Sequence, residues 1–341
     1  MLNSLRISIV LVSLLMSAQL SAQTIKLATL APEGSQWVSE MRAGAKLIGE
    51  RTDGRVKLKL YAGGVMGNDK KVLRKIRIGQ LQGAYFTANS LSNVYPDINI
   101  YGMPFMFRNE EEVRHVRARL DQQLEDGLRD VGYETFGFAG GGFAQFLSNT
   151  PVTSLKEIEK QKVWIPEGDT ISYRAMQALG LSPVTLPLTD VLTGLQSGLV
   201  DIVGSPPVAA LVMQWHTKVK YMTKLPLLYT MGYVAIDNKA FARISPEDQK
   251  IVREVLAAVN QTMDAANLID NQKAVDALGN AGIKFVEPSI EAVESWRREI
   301  LVANKAMARD GLVSEQLLAD VLADLDAFRE QSKNVAQQAA N

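Results

Sequence analysis

The chain has 341 residues, with 37 basic and 37 acidic side chains, two histidines and no cysteine. The balanced charge leaves no basic field for a phosphate backbone, so nucleic acid is not an expected partner. The lack of cysteine excludes disulfides, thiolate metal sites, cysteine nucleophiles and a lipid-attachment thiol, and no metal or cofactor is expected.

In chain order, residues 1–22 read as a secretory signal peptide. Arg6 gives a positive start. The run Ile7 to Met16 is apolar but falls short of the ~20 residues that cross a bilayer. Ser17 to Ala22 supplies small residues, with cleavage best placed after Ala22. Export without an anchor predicts a protein free in the periplasm. About 319 residues remain after cleavage, more than one core usually supports, so two lobes are expected.

Thr24 to Ala28 alternates like a strand, and Ser35 to Thr52 is helix-like, with Trp37, Met41, Ala45 and Ile48 three or four apart. Arg55 to Tyr61 alternates again after the Asp53-Gly54 turn. Asp69 to Ile78 is a helix ended by Gly79, and Gln82 to Thr87 is a short strand. This β-α-β-α order predicts an α/β fold. A weakly similar unit recurs downstream: strand Pro183 to Leu186, helix Thr189 to Ser197 closed by Gly198, strand Val200 to Gly204. The pieces Gly79 to Phe86 and Gly198 to Ser205 read as equivalent parts of two similar lobes.

Between them lies Phe136 to Asn149, with glycines at 140, 141 and 142 that permit sharp backbone changes. It is a candidate hinge crossing, and Lys224 to Asn238 is a candidate return. Ser245-Pro246-Glu247-Asp248 signals a helix start. A helix of ~35 residues from there spans ~50 Å, enough to cross both lobes, with a kink expected near Asn267 to Asn271. Further helix is expected from Ile290 to about Lys333, followed by a polar tail. The predicted division is lobe I at 23–140 plus about 231–268, lobe II at 141–230 plus about 269–315, and a C-terminal helix and tail at 316–341.

Enzyme signatures are sparse. No HExxH, GxSxG or P-loop occurs. Gly63 to Gly67 lacks the lysine and hydroxyl that grip phosphates and reads as the mouth of a cleft. His115 reads as a surface residue and His216 as structural or pocket-edge. Trp37, Met66, Tyr85, Phe86, Phe143, Trp164 and Trp215 fall near strand ends or crossings. There α/β folds collect ligands in largely apolar pockets.

Several segments together resemble the solute-binding subunit of tripartite ATP-independent periplasmic (TRAP) transporters. They are Arg51 to Val56 with Tyr61 to Gly67, Leu91 to Pro96, Met103 to Arg108, Gly141 to Phe143, Lys162 to Glu167 and Leu195 to Asp201. The resemblance implies an α/β, two-lobed type II periplasmic-binding-protein-like fold with a long helix spanning both lobes. It also implies a cleft that closes on a small organic solute and delivery to an inner-membrane TRAP permease.

Two departures carry the ligand expectation. The family commonly has an arginine at the position of Trp164 and another at Ala144, and a guanidinium there pairs with a substrate carboxylate. Ser205 stands where a polar residue, often asparagine, follows the "G-x-V-D" strand, and Leu188 where an aromatic is common. A neutral, largely apolar solute is therefore expected, with Glu167 available to accept from a hydroxyl or amine and Trp164 available to a cation. The expected walls are Trp164 and Ala144 with Phe143 and Leu188, facing Tyr85, Phe86 and Met66. Trp215 and Ser205 stand at the far end, and Trp37 at the rim. Three rivals stay open. One is a carboxylate held by a displaced cation, Arg174 or Arg77; the second is a periplasmic sensor subunit; the third is an enzyme on the same scaffold. A monomer is expected, although the long helix offers a surface for exchange between partners.

Overall fold

The computed structural model describes residues 22–340. The expected signal peptide, but for Ala22, lies outside the described residues. The chain opens with strand β1 (Gln23–Ala28), helix α1 (Gln36–Arg51) and strand β2 (Val56–Tyr61). Ser35 caps α1, its hydroxyl accepting from Val38 N at 3.4 Å, which satisfies one donor that a helix start leaves open. Helix α2 (Asp69–Arg77) leads through Gly79 into β3 (Gly83–Thr87). Helix α3 (Glu110–Asp130) and β4 (Tyr133–Thr135) follow, then the first crossing, β5 (Ala139–Ser148).

Beyond it come α4 (Leu155–Ile158), β6 (Val163–Pro166), α5 (Thr170–Ala178), β7 (Val184–Leu186), α6 (Val191–Ser197), β8 (Ile202–Ser205) and α7 (Pro207–Val212). The return crossing is β9 (Tyr221–Asp237), followed by α8 (Asn238–Phe241) and the 35-residue α9 (Pro246–Asn280). The chain finishes with β10 (Lys284–Val286), α10 (Ile290–Arg309) and α11 (Glu315–Ala340).

The sheet runs β2-β1-β3-β9-β5-β8-β6-β7, with β4 and β10 on the flanks of β9. Its two halves mirror each other. In each, the chain lays down the middle strand, then the outer, then the inner: β1, β2, β3 in one and β6, β7, β8 in the other. Pairing is parallel within each half and antiparallel where β3 meets β9 and β8 meets β5. The two helix–glycine–strand units of the sequence thus become the inner strands β3 and β8. Both halves are joined by β5 and β9, which pair antiparallel with irregularities at Gly140/Gly142 and Ala144/Phe146. Apolar clusters cover both faces of each half.

Helix α9 runs unbroken from Pro246 to Asn280, so the kink expected near Asn267 to Asn271 is not a break in the helix. Its polar residues there do something else. Strand β5 has no partner strand on one edge until Gln145 reaches Ser205, and α9 supplies the missing bonds from one stripe of its surface. Asn260 Nδ2 donates to Phe136 O at 2.8 Å, and Asp264 Oδ1 accepts from Gly140 N at 2.7 Å. The amide oxygen of Asn267, turned towards Gly142 N, lies 3.2 Å from it. Asn271 Nδ2 donates to Gly141 O at 3.1 Å, while its Oδ1 accepts from Val208 N at 3.2 Å. The glycines let this contact form. Gly142 has φ of 90°, and a Cβ there would stand 2.5 Å from Asn271 Nδ2.

The segment Met103 to Arg108 straps the two halves together. Carbonyls of Pro104, Phe105 and Met106 accept from Asn304, Arg297 and Arg329 at 2.9, 3.2 and 2.9 Å. Phe105 N donates to Leu227 O of β9 at 2.6 Å. Arg329 also grips the buried Glu112 with two bonds of 2.8 Å. The C-terminal region therefore differs from its sequence reading. The helix expected from Ile290 is interrupted between Arg309 and Glu315 and runs on to Ala340. Met307, Ala308 and Val313, placed with lobe II, share a core with Leu120 and Leu124 of α3, as does Leu325. An apolar helical stripe packs on whichever core the chain reaches.

Candidate solute cleft

The carboxyl ends of the parallel strands in each half face one another. In the first half they open into residues 29–35, the glycine loop 63–67 and Thr87 onward. In the second they open at Pro166, Leu186 and Ser205. The facing loops touch. Asn68 Nδ2 donates to Glu167 Oε2 at 2.6 Å, a Cβ on Gly64 would stand 3.1 Å from Thr189 Cγ2, and the Asn89 side chain lies close enough to Asp169 to oppose the rise of its carboxyl. Asp169 also caps α5 by accepting from Ser172 N at 3.0 Å. Ser90 Oγ donates to Asp69. Burial raises the carboxyls of Asp69 and Asp169 above the usual aspartate range, and hydrogen bonds oppose the shift. The cleft is thus in a closed arrangement, with Asp69, Glu167 and Asp169 at its margins.

Trp164 is 3% exposed. In β6 it alternates with Val163 and Ile165, which turn to the other face. Its indole N–H donates to Leu186 O at 3.0 Å, and its ring meets Trp215 edge-on at 5.2 Å. Leu188 packs at the edge of the same cluster. Ser205, buried, donates to Pro206 O at 3.0 Å. Ala144 is buried and pairs with Leu228 of β9. Tyr85 and Trp37 meet at a tilt of 52°, ring centroids 3.5 Å apart, with the Tyr85 hydroxyl over Gly232 of the return crossing; burial pushes that phenol up. Met66 is half-buried, and its carbonyl accepts from Lys75 Nζ at 2.9 Å.

Two expected wall residues lie elsewhere. Phe86 has no exposure and lies in the core beside Tyr233, because strand alternation sends it to the face opposite Tyr85. Phe143 stands next to Ala144 in β5 and so on the other face, where it packs against Tyr229 at 5.2 Å and lines a groove of about 470 Å3. The displaced cations are elsewhere: Arg174 pairs with Asp310, and Arg77 is exposed. His216 Nδ1 sits 3.2 Å from Ala210 O. His115 is no free surface residue, since its ring stacks on Phe328 of α11 at 4.4 Å. The sequence reading missed Asn68, Asn89, Asp169 and Thr189. The cap signals of Asn68 before α2 and Asp169 before α5 were the local signs available.

Two similar α/β lobes joined by two crossing strands, with the strand ends facing, form the fold of two-lobed solute-binding proteins. Residues 27–310 match the model of bacterial extracellular solute-binding proteins, family 7, and the chain belongs to that family. It is 25% identical over 284 residues to the 2,3-diketo-L-gulonate-binding periplasmic protein YiaO of Escherichia coli, covering 79% of this chain and 83% of that protein. It is 27% identical over 272 residues to the C4-dicarboxylate-binding periplasmic protein DctP of Rhodobacter capsulatus, covering 77% and 80%. A TRAP periplasmic solute-binding protein of Desulfovibrio salexigens, solved with orotic acid, superposes with a TM-score of 0.81 at 21% identity, covering 90% of this chain and 99% of that one.

Proposed function

We propose that this chain is a TRAP receptor that captures a small neutral or largely apolar solute in the periplasm. Lobe closure buries the solute, and the closed form passes it to an inner-membrane permease. In this reading the lobes divide at β5 and β9. The cleft is walled by Trp164, Ala144, Leu188 and Ser205 on one side and by Met66, Tyr85 and Trp37 on the other, with Trp215 behind Trp164 and Glu167 at the mouth.

One observation carries the ligand class. At the two positions where the family presents guanidinium groups, this chain has an indole whose only donor is bonded to Leu186 O and a buried methyl. The three similar proteins named above are named for acids, and those ligands are theirs. An unpaired buried carboxylate costs several kcal/mol or is driven to protonate. At the mouth, Glu167 favours a donor such as a hydroxyl over an anion.

The test is a thermal-shift titration with C4-dicarboxylates, sugar acids, neutral polyols and neutral aromatics. A ligand at 100 Kd adds about 2.7 kcal/mol to stability, so a true ligand stands out. Stabilisation by a neutral compound is the expected result. Tight saturable binding of succinate would overturn the ligand class and leave family membership intact.

A further inference from the structure

The groove that Phe143 lines is on the opposite face of the crossing strands from Ala144, and the solute-cleft reading does not use it. Its walls come from three places: Arg108, Asn109 and Glu110 at the start of α3; Phe143, Gln145 and Lys224 to Pro226 of the crossings; and Gln272, Val275 and Phe285 after the return. At about 470 Å3 it falls within the ~300–1,000 Å3 of small-molecule sites. The floor is apolar, built from Phe143, Leu225, Pro226, Val275 and Phe285.

The polar groups are of a different kind from those of the cleft. Arg108 makes no ion pair among the described residues. It and burial together hold Arg297 below the ordinary arginine range, burial being the larger cause. Lys224 lies over the Phe285 ring at 5.6 Å and 3.2 Å from the exposed Glu287. The lining also holds one acid, Glu110, whose carboxyl burial raises while a bond to Tyr229 opposes the shift. Two cations at an apolar floor suit a carboxylate on an aromatic or branched body.

We propose that this groove behind the crossing strands, between Arg108 and Lys224, is a second binding site, selective for a small carboxylate with an aromatic or apolar body. It requires no guanidinium in the front cleft, and it stands whether or not the neutral-solute reading holds. Its walls belong to both halves of the molecule, so its occupation is linked to the lobe arrangement.

The probe is indole-3-acetate, titrated calorimetrically into the full mature chain, with 3-methylindole as the uncharged counterpart. The expected result is saturable binding, at least tenfold tighter for the acid, that weakens as salt rises. The double variant Arg108→Gln/Lys224→Gln removes that tenfold preference and leaves 3-methylindole unchanged. Val275→Trp fills the groove from α9 and abolishes both. Circular dichroism and melting of each variant confirm that it is folded. Absence of saturable binding at millimolar probe, or an acid affinity that both variants leave untouched, overturns the proposal.

Discussion

Asp264 is the joint between α9 and the first crossing, and its replacement by alanine has a calculable cost. Its Oδ1 accepts from Gly140 N at 2.7 Å and from Arg117 Nη1 at 2.6 Å. Alanine leaves the Gly140 N–H on the unpaired edge of β5 without an acceptor, a loss of ~1–3 kcal/mol. The Arg117 contact adds at most ~1 kcal/mol, because Asp264 is about a third exposed and screened and Arg117 keeps Asp121 and Phe138 O. The total is ~1–4 kcal/mol, or roughly 5- to 1,000-fold in the folding equilibrium. Urea unfolding followed by tryptophan fluorescence reads this as a lower midpoint at unchanged slope. Asp264→Asn retains an acceptor for Gly140 and is expected to lose about half as much. An Asp264→Ala midpoint within ~0.5 kcal/mol of the parent would refute the edge-capping account.

Gly142→Ala combines a φ of 90° with a Cβ 2.5 Å from Asn271 Nδ2; a destabilisation of more than ~1 kcal/mol is expected, read by the same urea assay. Arg329→Met strips the buried Glu112 of its bidentate partner and is expected to cost ~3–5 kcal/mol. Limited proteolysis would then detach α11 before the rest of the chain. The pH profile has a sign. Asp69, Glu110, Asp121, Glu125 and Asp169 are raised by burial. A raised carboxyl contributes stability that is full below its unfolded pKa and lost as pH rises through its folded pKa. Asp248 is lowered by its bond to Arg55, so its contribution is full above the unfolded pKa and lost as pH falls through the folded one. Melting temperature is therefore expected to peak on the acid side of neutrality and to fall below about pH 4; a monotonic rise from pH 4 to 8 would contradict it. Since the chain has no cysteine, spin labels at two introduced cysteines, one per lobe, report the lobe separation cleanly. Glu167→Ala removes the Asn68 bond and is expected to lengthen the mean distance.

By itself the sequence determined most of the elements and the crossings. Those signals are local: alternation for Arg55 to Tyr61, the Ser-Pro-Glu-Asp start of α9, the glycines that close α2 and α6. The paired units before β3 and β8 were also legible, and they became mirrored inner strands. The tertiary structure alone decided which face each side chain serves. Period-two alternation says that Tyr85 and Phe86 point opposite ways, and only the packing says that Phe86 joins the core beside Tyr233. The partner of the Trp164 indole is a carbonyl in a neighbouring strand, and the asparagines suspected of kinking α9 instead complete the open edge of β5. In the same way, the apolar stripe of α11 would suit any core and returns to that of α3. Helix and strand propensities are written within a few neighbouring residues, whereas the bonds that satisfy an unpaired edge or a buried donor join segments that only folding brings together.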